Sequence, residues 1–487
     1  MTSPGGPARR SSVQRWLGAS RDRRKARVSE RARDPRPLVK QRLPSGRGAM
    51  EQPNITSHGA GVLTARFWVL VALTGVAAGL FGALMMLILF NVQYAAFGYH
   101  SGTVQYGVEQ ASDLRRVGSL LIAGAFGGLA WYLLRRYTRG EPSEIDETIW
   151  NGDGRLSFRR CLGTSVISEI VIGMGASIGR EAAPKLLGGA SASVLAGWGG
   201  LTTQQRRLLV ACGGGAGLAA VYNVPLAGAL FTAEILIGSI SLPVMLPALV
   251  CSWIATATAW IYLPDRATYP GIPDYRFSSS LMIWALLAGP VIGLISSAYI
   301  RLIGWVSYHR ARGLRALFAP VIAFGILGVI GIWYPQLFGN GLDMARDAFL
   351  GIGTLSLLLV LFALKPLVTA MCLGSGASGG LFTPTLSTGA VLGGALGIAW
   401  SLAWPGSPSG AFAMIGAAAM IGAAMQAPLA GLALVLELTH SGFGLMIPMM
   451  AATATATAVA FYIDGYSIYS ARLPAYAADS APTDSPA

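Results

Sequence analysis

Charge is scarce in this 487-residue chain. Asp, Glu, Lys and Arg make up 12% of it, against 53% hydrophobic residues. Soluble domains carry about 25% charged residues, so this composition cannot clothe a water-soluble body of such length. Histidine is also rare: His58, His100, His309 and His440 stand apart, with no His-Glu-x-x-His run. An intramembrane metalloprotease therefore lacks its motif, and the chain is not expected to be an enzyme. The four cysteines, Cys161, Cys212, Cys251 and Cys372, have no metal-type spacing and lie in apolar stretches, as small packing residues do. No metal or cofactor is expected. The first fifty residues lack the apolar core of a cleavable signal; they are basic and proline-bearing.

What the chain does have is long apolar runs. Residues 67–90, 117–134, 281–300, 317–333, 355–373 and 445–461 lack a periodic polar face. Each is long enough, or nearly so, for a hydrocarbon core of ~30 Å, which takes roughly 20 helical residues. The expectation is an all-α polytopic membrane protein. Fourteen of the 36 Lys and Arg residues fall in the first fifty positions, against Asp22, Glu30 and Asp34. Residues 1–60 read as a basic, disordered cytoplasmic tail near anionic headgroups. No aromatic interleaving accompanies that charge, so nucleic acid is not an expected partner.

Other basic clusters set an orientation. Arg135, Arg136 and Arg139, then Arg155, Arg159 and Arg160, then Arg206 and Arg207, then Arg310, Arg312 and Arg315 mark cytoplasmic loops. Stretches 91–113, 264–280 and 339–347 then lie outside, and both termini are expected on the cytoplasmic side of the cell membrane. Arg115 and Arg116 run against this pattern.

The chain echoes itself. Ala220-Val-Tyr-Asn-Val-Pro225-Leu-Ala-Gly228, followed by Glu234, matches Ala423-Ala-Met-Gln-Ala-Pro428-Leu-Ala-Gly431, followed by Glu437; Pro225 and Pro428 are 203 residues apart. Upstream, Gly173-Met-Gly-Ala-Ser-Ile-Gly179-Arg180-Glu181 matches Gly374-Ser-Gly-Ala-Ser-Gly-Gly380-Leu381-Phe382, with Gly179 and Gly380 201 apart. Two echoes in one order define repeats at about 115–262 and 316–464. Such repeats are typical of transporters whose site lies where the halves meet. The repeated segments are interrupted by Gly and Pro, and irregular backbone at membrane depth survives only when buried or lining a cavity. Helix N-termini ending there carry roughly +0.5 charge and free N–H groups, which favours an anion over a cation. Glycines that merely permit tight helix packing are the competing explanation.

At these residues the sequence resembles the CLC family of chloride channels and chloride/proton exchangers, over roughly residues 66–473. Gly179-Arg180-Glu181 stands where that family has Gly-Lys/Arg-Glu-Gly-Pro. Gly380-Leu381-Phe382-Thr383-Pro384 matches its Gly-x-Phe-x-Pro motif, and Tyr469 falls at its pore tyrosine. The resemblance implies an inverted-repeat fold of many tilted and broken helices spanning 61–473, followed by a short polar tail at 474–487. It implies a homodimer with one anion pathway per subunit. Backbone N–H groups of Gly179, Arg180, Glu181, Leu381 and Phe382 would hold chloride, with the Tyr469 hydroxyl as a further donor. Glu181 would be the gate: its carboxylate occupies the anion site and protonation releases it. An ionisable residue in a mid-membrane turn is a functional candidate on physical grounds alone.

Departures from the family pattern matter too. Counting back from Glu181 without gaps places Gly140 where the family's Gly-Ser-Gly-Ile-Pro motif has its serine. The central site would then rely on backbone donors and Tyr469, which opens fluoride or nitrate as alternatives to chloride. Lys185 lies one helical turn after Glu181, a favourable spacing for holding it ionised; pairing with another acid is the alternative. Glu234 matches the family's structural acid and is a candidate for the proton path. Ile235 stands where exchangers of the family carry a proton glutamate, which favours passive conduction, or exchange through Glu234 or water. No C-terminal nucleotide-binding domains are expected after Ala487.

Overall fold

The computed structural model describes residues 63–473. The basic stretch at 1–60 and the polar tail at 474–487 lie outside the described residues. Within them, α1 (Ala65–Phe97) and α2 (Val104–Gln110) precede a first set of helices. That set is α3 (Asp113–Tyr137), α4 (Ile145–Trp150), α5 (Phe158–Gly173), α6 (Ala182–Trp198), α7 (Thr203–Tyr222), α8 (Pro225–Phe231) and α9 (Leu242–Ala259). A wider π-type turn, Thr232–Ile237, extends α8. After α10 (Ser279–Tyr308) comes a second set: α11 (Arg315–Trp333), α12 (Leu342–Phe349), α13 (Leu355–Gly374), α14 (Phe382–Ala403), α15 (Ser409–Met425), α16 (Pro428–Thr439) and α17 (Met446–Ile463). The sets correspond one to one, α3 with α11 through α9 with α17. The fold is all-helical.

Local chemistry explains the breaks. Ser112, Ser157, Thr202 and Thr354 each accept the N–H three residues on, which starts α3, α5, α7 and α13. α7 and α15 each end on a left-handed residue, Asn223 (φ 57°) and Gln426 (φ 55°). Pro225 and Pro428 then open the next helices, at positions where a missing N–H costs nothing.

Among the described residues, eight helical stretches are long and apolar enough to cross a membrane. Six match the runs expected from the sequence. The other two are α9 and α14, whose Ser, Thr and Pro residues dilute the apolar signal.

The repeats are inverted, and three contacts fix this. First, α3 and α11 pack antiparallel: Gly128 sits on Leu317, Gly124 on Val321 and Gly328 on Val117, close approaches that small residues permit. Second, Gly179 and Gly380 exchange backbone hydrogen bonds of 2.9 and 2.8 Å in an antiparallel bridge. Third, Glu437 of α16 accepts the N–H groups of Leu226 and Ala227 at the start of α8. Glu234, after α8, accepts those of Leu429 and Ala430 at the start of α16. Equivalent residues meeting antiparallel across one line require a two-fold relation between the halves. The innermost helices, α7 and α15, are almost wholly buried and rich in Gly and Ala.

Candidate functional site

The two glycine-rich turns end at α6 and α14, so the N-termini of both helices meet at the Gly179–Gly380 bridge. Glu181 occupies the cap position of α6 and is 3% exposed. Its side chain crosses to the other repeat. Phe382 N–H donates to Oε1 at 2.7 Å, and the Thr383 hydroxyl donates to Oε2 at 3.2 Å. The Tyr222 hydroxyl reaches Oε2 at 3.3 Å and Thr383 Oγ1 at 2.6 Å. A Cβ at Gly179 or Gly380 would collide with this carboxylate; both positions need glycine for that close approach. A carboxylate thus lies where one helix N-terminus and two hydroxyls converge, an arrangement suited to a small anion.

Beneath it lies a cavity of about 110 Å3. Glu181, Lys185, Ser143, Asp146 and Tyr469 line it, with Arg135, Arg160, Arg310 and Arg472 around them. The Ile468 N–H bonds to Ala424 O at 2.8 Å and anchors the short segment that presents Tyr469. Lys185 pairs with Asp146 at 3.3 Å, and its Nζ lies 4.6 Å from the centre of the Tyr469 ring. Its direct partner is therefore Asp146, not Glu181.

Several expected site residues play other parts. The Gly179 N–H is taken by Gly380 O, so it is not free for an anion. The Arg180 side chain leaves the cavity: it stacks over Tyr222 at 5.0 Å and borders a second recess, beside Asn340 and Asp343. Leu381 is the buried cap position of α14, one residue before the N–H that binds Glu181. Gly140 is exposed in a left-handed turn (φ 78°) after α3 and does not reach the cavity. Ser143 does. An ungapped count from Glu181 does not show which residue of this loop faces the cavity; the fold puts Ser143 there, three positions after Gly140. Glu234 is committed to capping α16, while Ile235 is buried.

Three contributors carry no clear signal of their role in the sequence. Thr383 stands in plain view inside the Gly380–Pro384 motif, and Tyr222 inside the first echo. Lys365 has no local signal at all. It is fully buried on α13 and donates to Ser177 Oγ at 2.8 Å and to Gly339 O at 2.9 Å, holding the turn that leads to Glu181. Among the described residues no His, Cys, Asp and Glu group is arranged to hold a metal ion.

Comparison with known proteins places this geometry. Residues 123–461 match the family model described as voltage gated chloride channel. The H(+)/Cl(-) exchange transporter ClcA of Vibrio campbellii is 28% identical over 366 residues, covering 72% of this chain and 78% of that protein. The voltage-gated ClC-type chloride channel ClcB of Citrobacter koseri is 30% identical over 335 residues, covering 66% and 79%. The crystal structure of a slow cyanobacterial Cl-/H+ antiporter superposes with a TM-score of 0.73 at 24% identity, covering 84% of this chain and 97% of that one. With the family model matched over most of the chain and the inverted repeat in place, the chain belongs to the voltage-gated chloride channel (CLC) family.

Proposed function

We propose that this chain carries chloride across a cell membrane through the Glu181 site, in exchange for protons. The observation that supports it is the Glu181 carboxylate itself, bonded by Phe382 N–H, Thr383 and Tyr222. These donors suit any small anion, so the carboxylate acts as a tethered occupant. Protonation removes its charge and weakens its hold on those donors; chloride then takes its place. Chloride reaches the site from the cavity, whose Arg135, Arg160, Arg310 and Arg472 raise its local concentration. Tyr469 and Ser143 line the approach. The positive-inside rule applied to those arginines supports a cytoplasmic mouth for the cavity. Two copies assemble as a homodimer, each with its own pathway.

The test is flux from purified protein in chloride-loaded liposomes. Chloride efflux is expected, together with proton uptake driven by the chloride gradient. Absence of anion flux at every pH sinks the transport reading. Ile235 favours a second reading, a passive channel, which chloride flux without proton uptake would select. Fluoride or nitrate preference is read from the same vesicles by competition with chloride.

A further inference from the structure

Glu169 lies on α5, fully buried. Neither of its carboxylate oxygens has a hydrogen-bond partner. A buried charge without partners is expensive, and an ionisable group at membrane depth is a functional candidate. Its neighbours fix its place. One turn earlier, the Ser165 hydroxyl donates to Ala183 O in the first turn of α6. The adjacent Ser168 donates to Ser378 O, in the turn that leads to Phe382. Glu169 is therefore level with the Glu181 site. The charged residues that α6 and the turn into it bring towards α5 are Arg180, Glu181 and Lys185. The other helices packed on α5 carry their charged residues near their ends: Arg66 on α1, and Asp113, Arg115, Arg116, Arg135 and Arg136 on α3.

The same helix meets the cavity. Thr164, Ser165 and Ser168 line its wall, next to Glu181. Their hydroxyls both donate and accept, so a polar stripe runs along α5 from the cavity to the level of Glu169. Glu234 caps α16 and Ile235 is aliphatic, so neither takes this position; Asp146, in the cavity wall, is paired with Lys185.

We propose that Glu169 is a second proton-carrying residue of the transport cycle, relaying protons between the water of the Tyr469 cavity and Glu181. A proton from hydronium in the cavity binds one Glu169 carboxylate oxygen and leaves water behind. It then leaves Glu169, which returns to carboxylate, and binds Glu181. Glu181 becomes neutral and releases the Phe382 N–H for chloride. Arg180 balances Glu169 while it is charged. The relay rests on the exchange reading.

The experiment compares proton uptake and chloride efflux in vesicles under a chloride gradient. Glu169→Gln and Glu169→Leu are expected to reduce proton uptake about tenfold or more, with chloride efflux still measurable, and Glu169→Asp to recover part of the uptake. Leu suits the apolar surroundings and covers the case in which Gln misfolds. Undiminished proton uptake in either folded variant overturns the relay. Loss of both fluxes together in a folded variant overturns it too. Absence of proton uptake in the wild-type chain overturns the exchange reading itself, and is distinguishable because it precedes any substitution.

Discussion

Glu181 accepts hydrogen bonds that an anion would otherwise accept, so its substitution is informative. Glu181→Gln keeps the shape and removes the charge. It is expected to pass chloride with efflux independent of pH, read in liposomes from pH 4 to 8; efflux that keeps the wild-type pH profile counts against the gate. Lys185 and Asp146 test a different point. They form a nearly buried ion pair, and breaking such a pair by removing one partner costs roughly 3–5 kcal/mol. Lys185→Met is expected to lower the thermal midpoint in detergent, and Lys185→Met with Asp146→Leu to restore most of it. Equal loss in the single and double variants would mean that the pair contributes nothing as a pair. These roles are partly legible in the sequence. Glu181 stands in a glycine-rich turn that makes little sense as a packed helix. Asp146 is not legible as the partner of Lys185, because the contact spans 39 residues and the whole of α5.

Among elements, α8 and α16 are the most constrained by each other. Each N-terminus has its first N–H groups capped by a glutamate from the opposite repeat. Glu234→Gln and Glu437→Gln are each expected to cost about 1–2 kcal/mol, the order of a lost charge-assisted cap. The thermal midpoint should fall by similar amounts in both. Proton uptake in Glu234→Gln is expected to stay at the wild-type level, since that carboxylate serves α16; a selective loss of uptake would assign Glu234 to the proton path. The echo containing Glu234 and Glu437 is readable in the sequence. That each acid caps the other's helix is not, since a repeat in sequence is equally consistent with parallel or inverted halves. Ser143 shows the same limit. Only the fold of the loop before α4, which starts at Ile145, reveals which residue faces the cavity.

At the scale of the whole molecule, the proposed homodimer carries two separate pathways. A tandem of one wild-type and one Glu181→Gln copy is expected to show one pH-dependent and one pH-independent component of chloride efflux. A single uniform profile would argue for a shared pathway. Apolar runs, the scarcity of charge and the doubled Gly and Pro pattern by themselves determine a helical membrane protein in two related halves, with broken helices at mid-membrane. These are local properties, set by the solvent each residue tolerates and by backbone geometry. The residues leave open whether the halves are parallel or inverted, which the family resemblance suggests and the tertiary contacts establish. The tertiary structure alone decided that Glu181 is held by Phe382 and Thr383 from the other repeat, and that Glu169 is fully buried on α5. Contacts between residues some two hundred positions apart leave no periodicity to read, because they depend on how helices pack and not on how each one forms.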